Sequence, residues 1–367
     1  MAFVESANRL KPYLLMVFLQ FGFAGLYVVS IVSLKKGMSH FVLVVYRNAF
    51  AVASIAPFAL WFERKARPKM TPAVFFKILA LALLEPVLDQ NLYYMGTNYT
   101  SASFTAAIVN ILPAVTFLMA AILRIEMVDI RSRASQAKIT GTLITVAGAV
   151  LMILYKGVPV ALPWTKASSQ VSADAAVQDE KHWILGTFML LASCTCWSGF
   201  FILQANTLKT YPAELSLATL ICFMGMLGSG SVALVMERGI KPWLIGFDTR
   251  LFAAAYSGVV CSGVAFYIQG IVIKERGPVF VTAFQPLCLI IVAILGSIIL
   301  AEQISTGRMI GAVIIVVGLY FLIWGKGKDH LTESSKNEKL PVVLDAMGKQ
   351  APAAHSAVVE IPGTKTP

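Results

Sequence analysis

Ten apolar runs of roughly 18–24 residues alternate with short polar connections along the chain. They lie at about 12–34, 40–62, 73–95, 100–123, 138–155, 183–205, 214–236, 250–272, 278–300 and 306–325. Each is long enough to cross the hydrocarbon core as a helix. The predicted fold is therefore an all-α integral membrane protein with ten transmembrane helices. Two polar segments are longer than the rest. Residues 156–182 read as a non-cytosolic loop, and residues 326–367, rich in Lys, Pro, Ala and Ser, read as a disordered cytosolic tail.

The pattern repeats. Glu63-Arg64 recurs as Glu237-Arg238 at an offset of 174. Tyr94 and Pro113 match Tyr267 and Pro286 at 173, and Lys138, Gly141 and Gly148 match Arg308, Gly311 and Gly318 at 170. Ordered matches at a nearly constant offset indicate duplication. The units are residues 12–155 and 183–325, after a cytosolic N-terminus at 1–11. Five spans per unit is an odd number, so the two units enter the membrane in opposite directions. Inverted repeats of this kind are a transporter architecture with the substrate site between the halves.

Composition agrees. The chain of 367 residues is 57% hydrophobic and 13% charged, with mean hydropathy +0.75, against about 45–50% and about 25% in soluble domains. The net charge of +11 would suggest nucleic acid in a soluble protein. Here the basic residues flank apolar runs and report topology. With the N-terminus inside, fifteen fall on the cytosolic side and nine on the other. The bias is carried by Glu63-Arg64-Lys65-Ala66-Arg67-Pro68-Lys69. No cleavable signal peptide is evident. All five cysteines lie in apolar runs, which argues against disulfides and loop metal sites. There is no Walker A, H-E-x-x-H or G-x-S-x-G sequence. Neither a metal nor a cofactor is expected, and an ATP-driven pump or a hydrolase is disfavoured.

Candidate chemistry lies where polar residues interrupt apolar runs. Leu83 to Tyr94 carries Glu85, Pro86, Asp89, Gln90 and Tyr94 inside the third run. Charges at such depth mark polar pathways or paired sites, and Glu85 and Asp89, four apart, share one helix face. Arg47 and Asp89 both lie about 9–10 Å below the outer boundary at 1.5 Å per residue. The expectation is an Arg47–Asp89 ion pair, either a fixed strut or a fork shared with a substrate carboxylate. Asn110 with Pro113, and Gln285 with Pro286, place an amide before a helix-breaking proline in both halves. Gln20, Trp197, Tyr267, Gln269 and Phe284 complete the candidate lining. Lys77 lies close enough to a span end to snorkel out. The Gly-x6-Gly pairs of spans five and ten read as close packing or a homodimer surface. The acidic residues leave proton-coupled and passive transport both open.

Several stretches together resemble one family. They include Gln20-Phe21-Gly22-Phe23-Ala24-Gly25, Tyr46-Arg47-Asn48, Glu63 to Met70, Glu85-Pro86, Asp89 to Tyr94, Pro113-Ala114-Val115-Thr116-Phe117 and Tyr211-Pro212-Ala213-Glu214-Leu215-Ser216. Tyr256 to Gly263, Arg276-Gly277-Pro278-Val279-Phe280 and Trp324-Gly325-Lys326 continue the series. The likeness, from about residue 12 to 327, is to the plant drug/metabolite transporters of the nodulin-like, walls-are-thin-related (UMAMIT) family. That resemblance implies two EamA-type five-helix repeats and bidirectional amino acid transport, often export. It also implies the plasma membrane for most members, the vacuolar membrane for some, and auxin as the substrate of one branch. Many relatives have Tyr-Arg-His where this chain has Tyr46-Arg47-Asn48, and Asn-Pro or Ser-Pro where it has Gln285-Pro286. The leading reading is an amino acid transporter whose partners are its small-molecule substrate and the lipid bilayer, with no nucleic acid. Export of auxin or another organic acid is the alternative within transport. A membrane sensor or scaffold acting through its tail is the alternative of another class.

Overall fold

A computed structural model describes residues 2–35, 37–65, 67–100, 105, 108–125, 132–155, 159–160, 180–299 and 304–349. These residues form helices joined by turns and short irregular connections, apart from a two-residue antiparallel pair, β1 (Pro159–Val160) with β2 (Ile304–Ser305). Among the described residues seven helices are long and apolar enough to cross a membrane.

The first half comprises α1 (Ala2–Lys35), α2 (His40–Phe62), α3 (Pro72–Ala82), α4 (Gln90–Tyr99), α5 (Leu112–Ile122) and α6 (Arg133–Leu154). The second comprises α7 (Glu180–Thr210), α8 (Glu214–Met236), α9 (Thr249–Tyr256), α10 (Ala265–Arg276), α11 (Pro278–Ala283), α12 (Gln285–Ile299) and α13 (Thr306–Lys349). The third expected span is present as one rod from α3 to α4, joined by the π-helical stretch Leu83–Asp89. The eighth has the same build, α9 and α10 joined by the π-helical stretch Ser257–Val264. The expected fourth span falls partly on residues 101–104, 106 and 107, outside the described residues. Where the sequence predicts a disordered tail from residue 326, α13 continues to Lys349. Residues 350–367 of that tail, and most of the loop 156–182, lie outside the described residues.

The halves exchange equivalent neighbours. α2 packs on α8 and α6 on α13, each of these meeting its own counterpart, and α5 packs on α11. The α3–α4 rod packs on α7 and α8, and in the same way the α9–α10 rod packs on α1 and α2. The direction of the α2–α8 pair follows from its ends. Glu63, just beyond α2, accepts the backbone N–H groups of Leu215 and Ser216 at the start of α8, at 2.9 and 2.7 Å. Glu237, just beyond α8, accepts from the Ser39 hydroxyl at the start of α2, at 2.5 Å. The two helices therefore run antiparallel, and each is held at its first turn by the residue that ends the other. A carboxylate at a helix start satisfies orphan N–H groups and the positive end of the dipole.

The glycines of α6 and α13 face one another. A Cβ on Gly141 would lie 2.5 Å from the backbone N of Leu322, and one on Gly318 would lie 2.4 Å from the Thr145 hydroxyl. For Gly141, Gly148 and Gly318 the close approach is made within one chain, the close-packing reading of that pattern. The main apolar core gathers Leu19, Ile55 and Ile78 with Phe200, Phe266 and Phe280, drawn from both halves.

Candidate functional site

The site forms where the two π-helical stretches meet the opposite half. Proline at position 86 has no N–H and its ring excludes the usual carbonyl partner. The turn widens instead, and the Gln90 N–H reaches back five residues to the Glu85 carbonyl. The carbonyl of Pro86 is taken by the Ser229 hydroxyl of α8 at 3.0 Å. Across the interface, Arg47 of α2 donates from Nη2 to the Cys261 carbonyl in the second π-helical stretch, at 3.1 Å. Its Nε donates to Ser262 Oγ at 2.6 Å. Each widened turn is thus satisfied by a side chain from the other half. Both are fitted closely: Gly225 of α8 sits against the Pro86 ring, and Gly258 sits against the Arg47 carbonyl.

Three charged groups lie buried here: Arg47 at 8% exposure, Glu85 at 5% and Asp89 at 7%. Arg47 Nη2 lies 4.0 Å from Glu85 Oε1, which also accepts from Gln90 Nε2 at 3.0 Å. Asp89 Oδ1 accepts from Ser193 Oγ of α7 at 2.5 Å. The expected Arg47–Asp89 pair is therefore replaced by Arg47 beside Glu85 and Asp89 beside Ser193. The depth match selected Asp89, but the widened turn changes which carboxylate faces α2. Glu85 Oε2 and Gln90 Oε1 are buried and have no hydrogen-bond partner among the described residues. The cluster is rich in acceptors: two carboxylates and an amide oxygen surround one guanidinium.

Of the other sequence candidates, Tyr94 stands within electrostatic reach of Arg47 and Asp89 and packs against the His40 ring at 5.6 Å. Gln20 and Gln269 are buried, each with a carbonyl oxygen unpartnered among the described residues. Asn110 is buried in the turn before α5, whose first turn contains Pro113. Gln285 and Pro286 open α12 after the break at Phe284. The aromatic candidates lie elsewhere. Phe284 is in the apolar core against Phe280 and Tyr13, at 5.2 and 6.5 Å. Trp197 stacks on Phe201 at 6.0 Å, and Tyr267 packs against the same core. Sequence reasoning missed Ser193, Ser229, Cys261 and Ser262.

A helical membrane protein of two similar halves, with buried charges at their junction, belongs by build with the multi-span transporters. Comparison with known proteins makes the class specific. The family model for the EamA-like transporter family matches twice, over residues 10–154 and 184–324. The chain is 55% identical over 346 residues to the WAT1-related protein At1g21890 of Arabidopsis thaliana, covering 91% of this chain and 89% of that protein. It is 52% identical to the Arabidopsis WAT1-related protein At4g08290, covering 92% and 90%. A crystal structure with 14% identity superposes with a TM-score of 0.66, covering 85% of this chain and 98% of that one; it speaks to fold alone. The chain belongs to the EamA-like transporter family, among its WAT1-related members: a multi-pass membrane transporter, not an enzyme.

Proposed function

We propose that the chain moves amino acids across the plasma membrane by alternating access, bidirectionally, with export as its main role. The observation that carries this reading is the junction cluster. Arg47 presents a fork to a carboxylate, and Asp89 with the unpartnered Glu85 Oε2 presents acceptors to an ammonium. A zwitterion carries both groups on adjacent carbons and matches both poles at once. The geometry around Arg47 supports the exchange. Two of its donors are fixed by Ser262 and Cys261, and 4.0 Å from Glu85 is an ion-pair distance without a hydrogen bond. A substrate carboxylate gains a charge-assisted bidentate contact there, displacing a weaker one. Gln20, Gln90, Asn110 and Gln269 would add acceptors or donors from buried positions. The breaks at Pro113 and Pro286 would let one half rock against the other.

The test is efflux of a labelled amino acid mixture from preloaded oocytes, with surface levels matched. Wild type should release amino acids, and Arg47→Ala and Asp89→Ala should each lower the rate by at least about tenfold, the scale of one lost charged contact. Normal flux in both variants would remove the cluster from the transport site. Wild type that releases no amino acid but carries auxin or another organic acid would replace the substrate class.

A further inference from the structure

At the end of α2 opposite the junction cluster, a surface cleft of about 300 Å³ is lined by Leu60, Arg64 and Arg67. The stretch around it carries Arg64, Lys65, Arg67 and Lys69 against a single carboxylate, Glu63. Both oxygens of Glu63 are engaged at the start of α8. Arg67 donates to neutral acceptors, Ser216 Oγ at 3.1 Å and the Ala59 carbonyl at 3.4 Å. None of the four cations forms an ion pair among the described residues. Immediately before them, Leu60, Trp61 and Phe62 are exposed at 61%, 82% and 69%. Large apolar side chains at such exposure at the end of a spanning helix sit at the membrane–water boundary.

We infer that this cleft binds the phosphate headgroup of an acidic membrane lipid carrying a phosphomonoester, as phosphatidic acid does. Two guanidinium groups meet the geometry of a phosphate dianion better than lysine would, since each offers a planar fork of donors. The cleft provides a concave seat for the headgroup. The exposed Leu60 and Trp61 leave its rim continuous with the acyl layer. The positive-inside count puts this loop on the cytosolic face, where acidic lipids attract basic clusters by about 1 kcal/mol per Lys or Arg. The site is independent of the substrate reading, because no residue of the junction cluster takes part.

The purified full chain is titrated in detergent with dioleoyl phosphatidic acid, and bound lipid is counted by native mass spectrometry. Parallel titrations use phosphatidylglycerol, a phosphodiester, and inorganic phosphate as competitor. Wild type should hold phosphatidic acid in preference to phosphatidylglycerol, and Arg64→Gln with Arg67→Gln should weaken it about thirtyfold. Arg64→Gln alone, which breaks no hydrogen bond or ion pair among the described residues, should weaken it about fivefold. Arg238→Gln, at the opposite end of α8, should leave it unchanged. Equal retention by all variants would overturn the site. Full displacement by inorganic phosphate at matched concentration would overturn the lipid assignment in favour of a soluble phosphate. No preference over phosphatidylglycerol would overturn the phosphomonoester.

Discussion

Ser262 shows how much of a buried charge site depends on groups that carry no charge. Its hydroxyl fixes Arg47 Nε at 2.6 Å; without it, the guanidinium keeps, among the described residues, the Cys261 carbonyl and the weaker approach to Glu85. Ser262→Ala removes one hydrogen bond to a charged group, about 1.5–3 kcal/mol. The expected outcome is unchanged surface abundance with a raised half-saturation concentration for amino acid efflux, measured in the same oocytes. At this scale the sequence was legible where it broke a rule. Arg47, Glu85 and Asp89 stand out because charges are scarce in apolar runs. Ser193, Ser229 and Ser262 do not, because serine is common in membrane helices and its partners depend on which helices touch. Aromatics such as Trp197, Tyr267 and Phe284 suit both a cavity wall and a core, and the structure puts these three against the core.

At the scale of the element, the π-helical stretches decide which face each half presents. Pro86 widens its turn because it cannot donate, whereas Ser257–Val264 widens without a proline. The first was foreseeable as a break, but the change of facing it imposes was not. That is why the sequence chose Asp89 for Arg47. Pro86→Ala restores the missing N–H and removes the ring that holds the turn open. The expected outcome is a more stable rod and a slower transporter. Thermal unfolding in detergent should shift upward, and efflux should fall several-fold, as Glu85 and Asp89 turn away from Arg47 and Ser193. A variant with normal flux would separate the widened turn from transport. The tail is the other lesson at this scale. Lys, Leu, Ala and Glu are good helix formers, and α13 carries them on to Lys349, where polarity alone suggested disorder.

For the whole molecule, hydropathy periods and constant-offset matches made the architecture readable well before any contact was known. They could not reveal that the matched pair Glu63 and Glu237 does matched work. Glu63 holds the first turn of α8 and Glu237 the first turn of α2. Glu63→Ala leaves two N–H groups without partners and should cost about 1–2 kcal/mol. Thermal unfolding followed by the reactivity of the buried cysteines Cys194, Cys222 and Cys261 would register it. Glu237→Ala removes one hydroxyl contact and should cost less. Equal losses would mean that the two ends bear the same load.

Contacts in which the first partner touches the second exactly as the second touches the first are those of an isologous interface between identical subunits. Two copies of one half, set antiparallel as α2 and α8 are, would make the α2–α8 and α6–α13 contacts unaided. The present chain then reads as a homodimer whose subunits were joined end to end and afterwards diverged, with the first copy keeping the charges and the second the hydroxyls. The descent has a present-day consequence. A break anywhere between residues 161 and 179 should leave two fragments that find each other when expressed together, recovering efflux, while either fragment alone should be degraded.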